Sequence, residues 1–98
     1  MVWEIARIDV RPGDEAAFEK AVGEAVPLFE SAGGCHGVRL RRGVEQPQRY
    51  WLVVEWETVE DHTVRFRGSP GFARWRELVG GYFAAAPQVE HVNAVELP

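Results

Sequence analysis

The segment Tyr50–Phe72, YWLVVEWETVEDHTVRFRGSPGF, constrains the fold more than any other part of the chain. It begins as a strand in which Tyr50, Leu52, Val54 and Trp56 alternate with Trp51 and Val53, so both faces carry large apolar groups. A strand apolar on both sides needs cover above and below, which places it inside a sheet. The chain then turns straight into a helix. Thr58 is a suitable N-cap, and Asp61 three residues on makes a variant of the capping box. Within that helix Val59, His62, Thr63 and Phe66 recur at i, i+3, i+4 and i+7, a single face. A titratable imidazole therefore lies on the stripe that normally faces the core. Ser69-Pro70 reads as a second N-cap with proline at the first helical position.

The remaining elements follow from similar patterns. Val2 to Val10 alternates, with Val2, Ala6, Ile8 and Val10 on one face and Trp3 and Ile5 opening the other, and predicts a strand. Arg11-Pro12-Gly13 is a turn, and Asp14 and Glu15 suit the positive end of a helix. Phe18, Ala21, Val22, Ala25, Leu28, Phe29 and Ala32 form its apolar stripe, Pro27 predicts a kink, and Gly33-Gly34 ends it. Val38 to Val44 predicts a second strand, joined through a short connection to the strand at Tyr50. Phe72, Trp75 and Val79 continue an amphipathic helix until Gly80-Gly81. Tyr82, Phe83 and an alanine run suggest a loop or lid before a last strand, Val89 to Val95, with Val89, His91, Asn93 and Val95 on one face. The order β-α-β-β-α-β with right-handed crossovers is a ferredoxin-like α+β arrangement: a four-stranded antiparallel sheet with both helices on one face. The opposite face keeps apolar and aromatic residues. So large a patch predicts a homodimer packed sheet to sheet.

Ninety-eight residues suffice for a single domain, 1–98, with one core. A net charge of −4 argues against nucleic acid as a partner. The single cysteine, Cys35, excludes an internal disulfide, and no apolar run approaches membrane-spanning length; with no basic leader before the first strand, the expectation is a soluble cytoplasmic protein with no membrane partner.

Four stretches, EIARIDVRPGDEAAFEKAV, GCHGVRL, RYWLVVEWETVEDHTVRF and SPGFARW, in this order and spacing, resemble the antibiotic biosynthesis monooxygenase domains of the dimeric α+β barrel superfamily. The resemblance covers nearly the whole chain. It implies a homodimer whose sheets form a barrel, with a pocket in each subunit between sheet and helices. Family members include oxygenases that need no metal or flavin, haem-degrading enzymes, and enzymes acting on small signalling molecules, so membership alone leaves the reaction open. The haem-degrading pattern of asparagine, tryptophan and iron-ligating histidine falls here on Ala6, Arg65, and Trp75 or Arg76, and none matches.

The resemblance implies His62 as the acid/base group, since a histidine recurs in the family in this helix. Imidazole chemistry suits removal of a phenolic proton, and the competing role is a core histidine bonded to a carbonyl. Tyr50, Trp56, Phe66, Trp75, Tyr82 and Phe83 are candidates to wall a flat substrate, against plain core packing. Asn93 and His91 are candidates from the last strand, against a solvated strand end. Cys35-His36 has no spaced partners, so no metal site is expected. Arg39, Arg41, Arg42 and Arg49 cluster on the hairpin and Arg65, Arg67, Arg74 and Arg76 around the second helical region; such clusters suit an anionic substrate, but solvated faces paired with Glu45, Glu55, Glu57 and Glu60 account for them more simply. The expectation is a cofactor-independent monooxygenase oxidising a quinol or polyphenol with dioxygen, without metal or flavin, in which Asn93, Tyr50 or an arginine steadies the anion. Two alternatives stay open: an isomerase or degradative enzyme for a small carbonyl or phosphorylated compound, and a ligand-binding dimer without catalysis.

Overall fold

Alternation along the strands decides which side chains meet the helices and which are left outside. The computed structural model describes all residues, Met1–Pro98. The elements are β1 (Val2–Asp9), α1 (Glu15–Glu30), β2 (Cys35–Arg42), β3 (Arg49–Trp56), a π-helical segment (Asp61–Phe66), α2 (Pro70–Val79), a 3-10 turn (Gly80–Tyr82) and β4 (Gln88–Val92). The strands form one antiparallel sheet in the order β2-β3-β1-β4, the ferredoxin-like topology, with β3 and β1 inside. Ala6, Ile8 and Val10 together with Tyr50, Leu52, Val54 and Trp56 are buried against Phe18, Val22 and Phe29 of α1 and Trp75 and Val79 of α2. Both helices therefore cover one face. On the other, Trp3, Ile5 and Val53 are half-buried, Trp51 is 37% exposed and Val92 42%.

The helix after β3 starts as its sequence predicts. Thr58 Oγ1 accepts the Asp61 N–H at 3.1 Å, and the Asp61 carboxylate accepts the Thr58 N–H at 3.2 Å, a reciprocal capping box. It then departs from α geometry: the Arg67 N–H reaches the His62 carbonyl five residues back, at 3.1 Å. This wider turn places Asp61, His62 and Phe66 all inward. Such single π turns are rare and recur at functional sites. Ser69 caps α2 through Phe72 N–H, with Pro70 at its first position.

Three boundaries differ from the sequence expectation. β2 runs from Cys35 rather than Val38, because a bulge at Cys35–Gly37 absorbs the glycine, and it stops at Arg42, short of Val44. Helix α1 runs through Pro27 and ends at Glu30, where the Ser31 N–H and hydroxyl both donate to the Pro27 carbonyl. β4 stops at Val92, paired with Trp3. Only Val2 of β1 lies beyond that pair, so β4 has almost no ladder left to join. Asn93 and Val95 lie past its end, exposed. The segment after Gly80 is tied down rather than free: Val10 bridges Phe83, the Arg11 N–H bonds Tyr82 O at 2.9 Å, and the Ala84 N–H bonds Asp9 O at 2.8 Å.

Gly34 has φ +84°, and a Cβ there would collide with the Asp61 carboxylate. That carboxylate is held by the Thr58 N–H and by Arg65 at 3.0 Å. Gly34→Ala is expected to lower unfolding stability by about 2 kcal/mol or more, read as the shift of the denaturant midpoint.

Candidate functional site

The ladder between the first and last strands sets Glu4 opposite His91. Both belong to the helix-facing side, and the π turn brings His62 down onto them. His62 Nε2 lies 3.3 Å from Glu4 Oε1, and His62 Nδ1 lies 2.8 Å from His91 Nε2. Trp56 donates its indole N–H to the same Glu4 Oε1 at 3.0 Å and stacks its ring on the imidazole of His62, centroids 5.4 Å apart. Glu4 is 4% exposed and His62 2%. The three titratable groups form a line rather than a cage: the two nitrogens of His62 serve different partners on opposite edges of the ring. No three histidine, cysteine or carboxylate side chains converge as a metal site.

A buried Glu–His contact at this distance suits an ion pair, but burial penalises both charges. It raises Glu4 from 4.5 to about 7, against the Trp56 hydrogen bond and the positive charge of Arg67, which lower it. Burial also lowers His62 from 6.5 to about 4, helped by Arg67 and His91, and lowers His91, again with Arg67. The directions favour a neutral imidazole beside a carboxyl poised near neutrality. When Glu4 holds its proton, it can donate to His62 Nε2, and His62 Nδ1–H donates to His91. When Glu4 is ionised, it accepts from His62 Nε2–H, and His62 Nδ1 accepts from His91. One ionisation thus reverses the polarity of the whole line.

Glu4 and His62 of this line stand at one wall of a cavity of about 440 Å³ between sheet, α2 and the chain leading into β4. No sealed side-chain nitrogen or oxygen lacks a hydrogen-bond partner. Glu4 Oε2 has no protein partner, so it opens on the cavity that Glu4 lines. The other walls are mostly apolar, with Ile8, Leu52, Phe72, Trp75, Phe83 and Val89, and Arg67 and Arg76 also line it.

Of the residues expected from sequence, the structure brings His62, Trp75 and Phe83 to the cavity. Trp56 sits behind His62 and acts on the site through Glu4 and the ring stack. Phe66 is a core residue packed on Phe29, Trp56 and Phe72. Tyr50 lies away from the cavity, stacked on Phe18, with its hydroxyl donating to Glu19 at 2.5 Å. Tyr82 is half-buried against the core but outside the cavity wall, and exposed Asn93 is outside it too. Sequence reasoning missed Glu4. The signal was present: position 4 has the parity of Val2, Ala6 and Ile8, which makes it a charged residue on an inward face.

A ferredoxin-like domain with a buried Glu–His line at an apolar cavity defines the structural class, and comparison with known proteins gives the family. A model of the antibiotic biosynthesis monooxygenase family matches residues 1–78, and the chain belongs to that family. It is 38% identical over 95 residues to the uncharacterized protein YczJ of Bacillus subtilis, covering 97% of this chain and all of that one. Among solved structures, a Bordetella bronchiseptica protein whose name assigns it to the same family is 57% identical, with TM-score 0.96 and 97% of each chain covered. SnoaB of Streptomyces nogalater, a cofactor-independent oxygenase, shares the fold at 19% identity and TM-score 0.82, over 98% of this chain and 94% of that one.

The two large shifts act on stability in opposite senses. Glu4 is raised on folding, so its contribution is full below pH 4.5 and lost as pH rises through about 7. His62 is lowered, so its contribution is full above pH 6.5 and lost as pH falls through about 4, and His91 acts in the same direction. Between pH 4.5 and 6.5 the Glu4 and His62 slopes oppose each other, and His91 leaves a shallow net rise. Glu4→Gln keeps an acceptor for Trp56 and removes the one falling slope. Its stability is expected to rise by about 3 kcal/mol or more from pH 4 to 6.5, while the native protein rises much less over that interval, measured by urea unfolding at each pH.

Proposed function

We propose that the protein is a cofactor-independent monooxygenase that oxidises an electron-rich aromatic, a quinol or polyphenol, with dioxygen. The observation that carries this reading is the Glu4 carboxyl, poised near neutral pH at the wall of an apolar cavity with Oε2 free to meet a substrate. A base tuned to the working pH is what abstraction of a phenolic proton requires. Family membership supports an oxygenase, and the absence of a glycine-rich dinucleotide fingerprint from the sequence agrees with chemistry carried by the substrate itself.

In this reading the substrate ring lies among Phe72, Trp75 and Phe83, with a hydroxyl against Glu4. Ionised Glu4 takes the hydroxyl proton, and His62 holds the carboxylate and redistributes its hydrogen bonds toward His91. The phenolate passes an electron to dioxygen, and the two radicals join at a ring carbon as a peroxide. Cleavage of the O–O bond leaves one oxygen on the ring as a carbonyl. The other departs as water, carrying the proton from Glu4 and the hydrogen lost from that carbon. Substrate and dioxygen thus balance quinone and water. The apolar walls exclude bulk water, and Arg67 places positive charge near the developing anion.

Oxygen consumption on a quinol panel tests this. Wild type is expected to consume one dioxygen per quinone formed, with a rate that rises through pH 7 as Glu4 ionises. Glu4→Gln and His62→Ala should each lower turnover about a hundredfold or more. His62→Ala should also cost roughly 1–3 kcal/mol of stability, because Glu4 and His91 lose their shared partner. A flat pH profile, or product without oxygen uptake, rejects the oxygenase.

The same proposal includes a homodimer, because Trp3, Ile5, Trp51, Val53 and Val92 share an uncovered sheet face. Light scattering at micromolar concentration is expected to give twice the 11.0 kDa chain mass. Trp51→Glu is expected to shift the population to monomer, while a native protein at the single-chain mass removes the dimer.

A further inference from the structure

Four arginines lie just before α2 or within it, and the structure sorts them into two pairs. Arg65 is bonded to Asp61 at 3.0 Å and Arg74 to Glu77 at 3.1 Å. Neither lines the cavity. Arg67 and Arg76 do line it, and neither has an acidic partner or any side-chain hydrogen bond within the protein. Pairing with Glu45, Glu55, Glu57 or Glu60, the simpler account from sequence, is absent for all four. The two arginines left with free donors are those at the cavity. Both are exposed, whereas Glu4 and His62 are buried, so the cations stand at the mouth and the acid–base pair at the floor.

We propose that the substrate is a flat aromatic that carries an oxyanionic group, a carboxylate or a phosphate, held by Arg67 and Arg76 at the mouth with its hydroxyl directed to Glu4. This names the substrate class for the site described above and rests on that site being the substrate pocket. The charge distribution supports the assignment. The chain carries a net charge of −4, so an anion gains nothing from the protein's field at large and must be drawn by local cations. Glu4 is the sole acidic residue on the cavity wall. Once ionised, it repels an anion at the floor, which fixes the orientation: anionic end outward, hydroxyl inward. A guanidinium not bonded to a carboxylate presents a planar fork of donors that matches either oxyanion.

The test is calorimetric binding without dioxygen, using 6-hydroxy-2-naphthoate, 6-hydroxy-2-naphthyl phosphate and 2-naphthol, in which any anionic group and the hydroxyl lie at opposite ends of the ring system. At least one anionic probe is expected to bind about tenfold or more tightly than 2-naphthol, and the tighter of the two identifies the oxyanion. Arg67→Gln and Arg76→Gln should each reduce that preference, and the double variant should abolish it. Arg74→Gln, which removes a paired cation outside the cavity, should keep it. Equal binding of all three probes overturns the proposal. So does binding of none, a preference that survives the double variant, or an equal loss in Arg74→Gln. Because no turnover is needed, an oxygenase that fails to consume oxygen leaves this result standing, and an active oxygenase without the preference removes only this inference.

Discussion

A carboxylate buried on the inner face of a central strand is the constraint around which this domain is arranged. Taking an ionised Glu4 out of water costs several kcal/mol unless hydrogen bonds replace the lost hydration. Two neighbours supply them from one short stretch of the chain: the Trp56 indole N–H from the end of β3, and His62 from the π turn directly after it. The local structure between those two residues serves that end. Thr58 and Asp61 cap the helix reciprocally, Asp61 packs against Gly34, and the wider turn aims His62 at the sheet. An apolar residue at position 4 would pack against the same wall without that desolvation penalty. A stability argument alone does not account for the glutamate, whereas a proton acceptor facing a cavity does.

How much of this was legible in the sequence depended on whether the signal was local. Period-two alternation placed Tyr50, Leu52, Val54 and Trp56 inward and Trp51 outward, because each strand carries its own pattern. Helical spacing turned His62 inward even though the turn became π rather than α, since both windings keep residues 62 and 66 on one side. What stayed hidden was pairing between distant segments. The opposition of Glu4 and His91 is a register between the first and last strands, and nothing near either residue encodes it. Asn93 shares the parity of His91 but lies beyond the point where β1 has almost run out, so its parity has no ladder to act on. Aromatic candidates were the least legible. Phe66 and Trp75 are both inward on their helices, yet one meets Phe29, Trp56 and Phe72 in the core and the other also borders the cavity.

The same contrast applies to charge. From sequence, arginines near glutamates read as solvated pairs, and for Arg65 and Arg74 pairing is what the structure holds, though through Asp61 and Glu77. Both pairs are local in the chain, at i,i+4 and i,i+3 spacing. Arg67 and Arg76 have no such local acid on their side of the helix. The Arg67 field reaches the site instead: it adds to the Trp56 hydrogen bond in lowering Glu4 against the larger effect of burial, and to burial in lowering His62 and His91, which favours ionised Glu4 and neutral imidazoles together. One exposed cation thereby biases the whole line toward the state in which Glu4 can accept a proton.

Strand β1 carries both faces of this argument on alternate residues. Its even positions, Glu4, Ala6 and Ile8, border the cavity; its odd positions, Trp3 and Ile5, belong to the uncovered face. A one-residue slip against β3 or β4 would exchange them, moving a charge to the apolar outer surface and an indole into the cavity. The ladder with β3 is eight pairs long and resists that slip, whereas the ladder with β4 is only five pairs long and lies at the sheet edge. The weaker ladder is the one that brings His91 to Glu4. The Glu4–His62–His91 line is thus bonded across the ladder that most needs pinning: His62 is fixed to the β3 side through Trp56 and bonds both strands of the β1–β4 pair. The polar line that would move the proton also specifies the register that creates it, which is why the chemistry and the placement of the last strand cannot be separated in this fold.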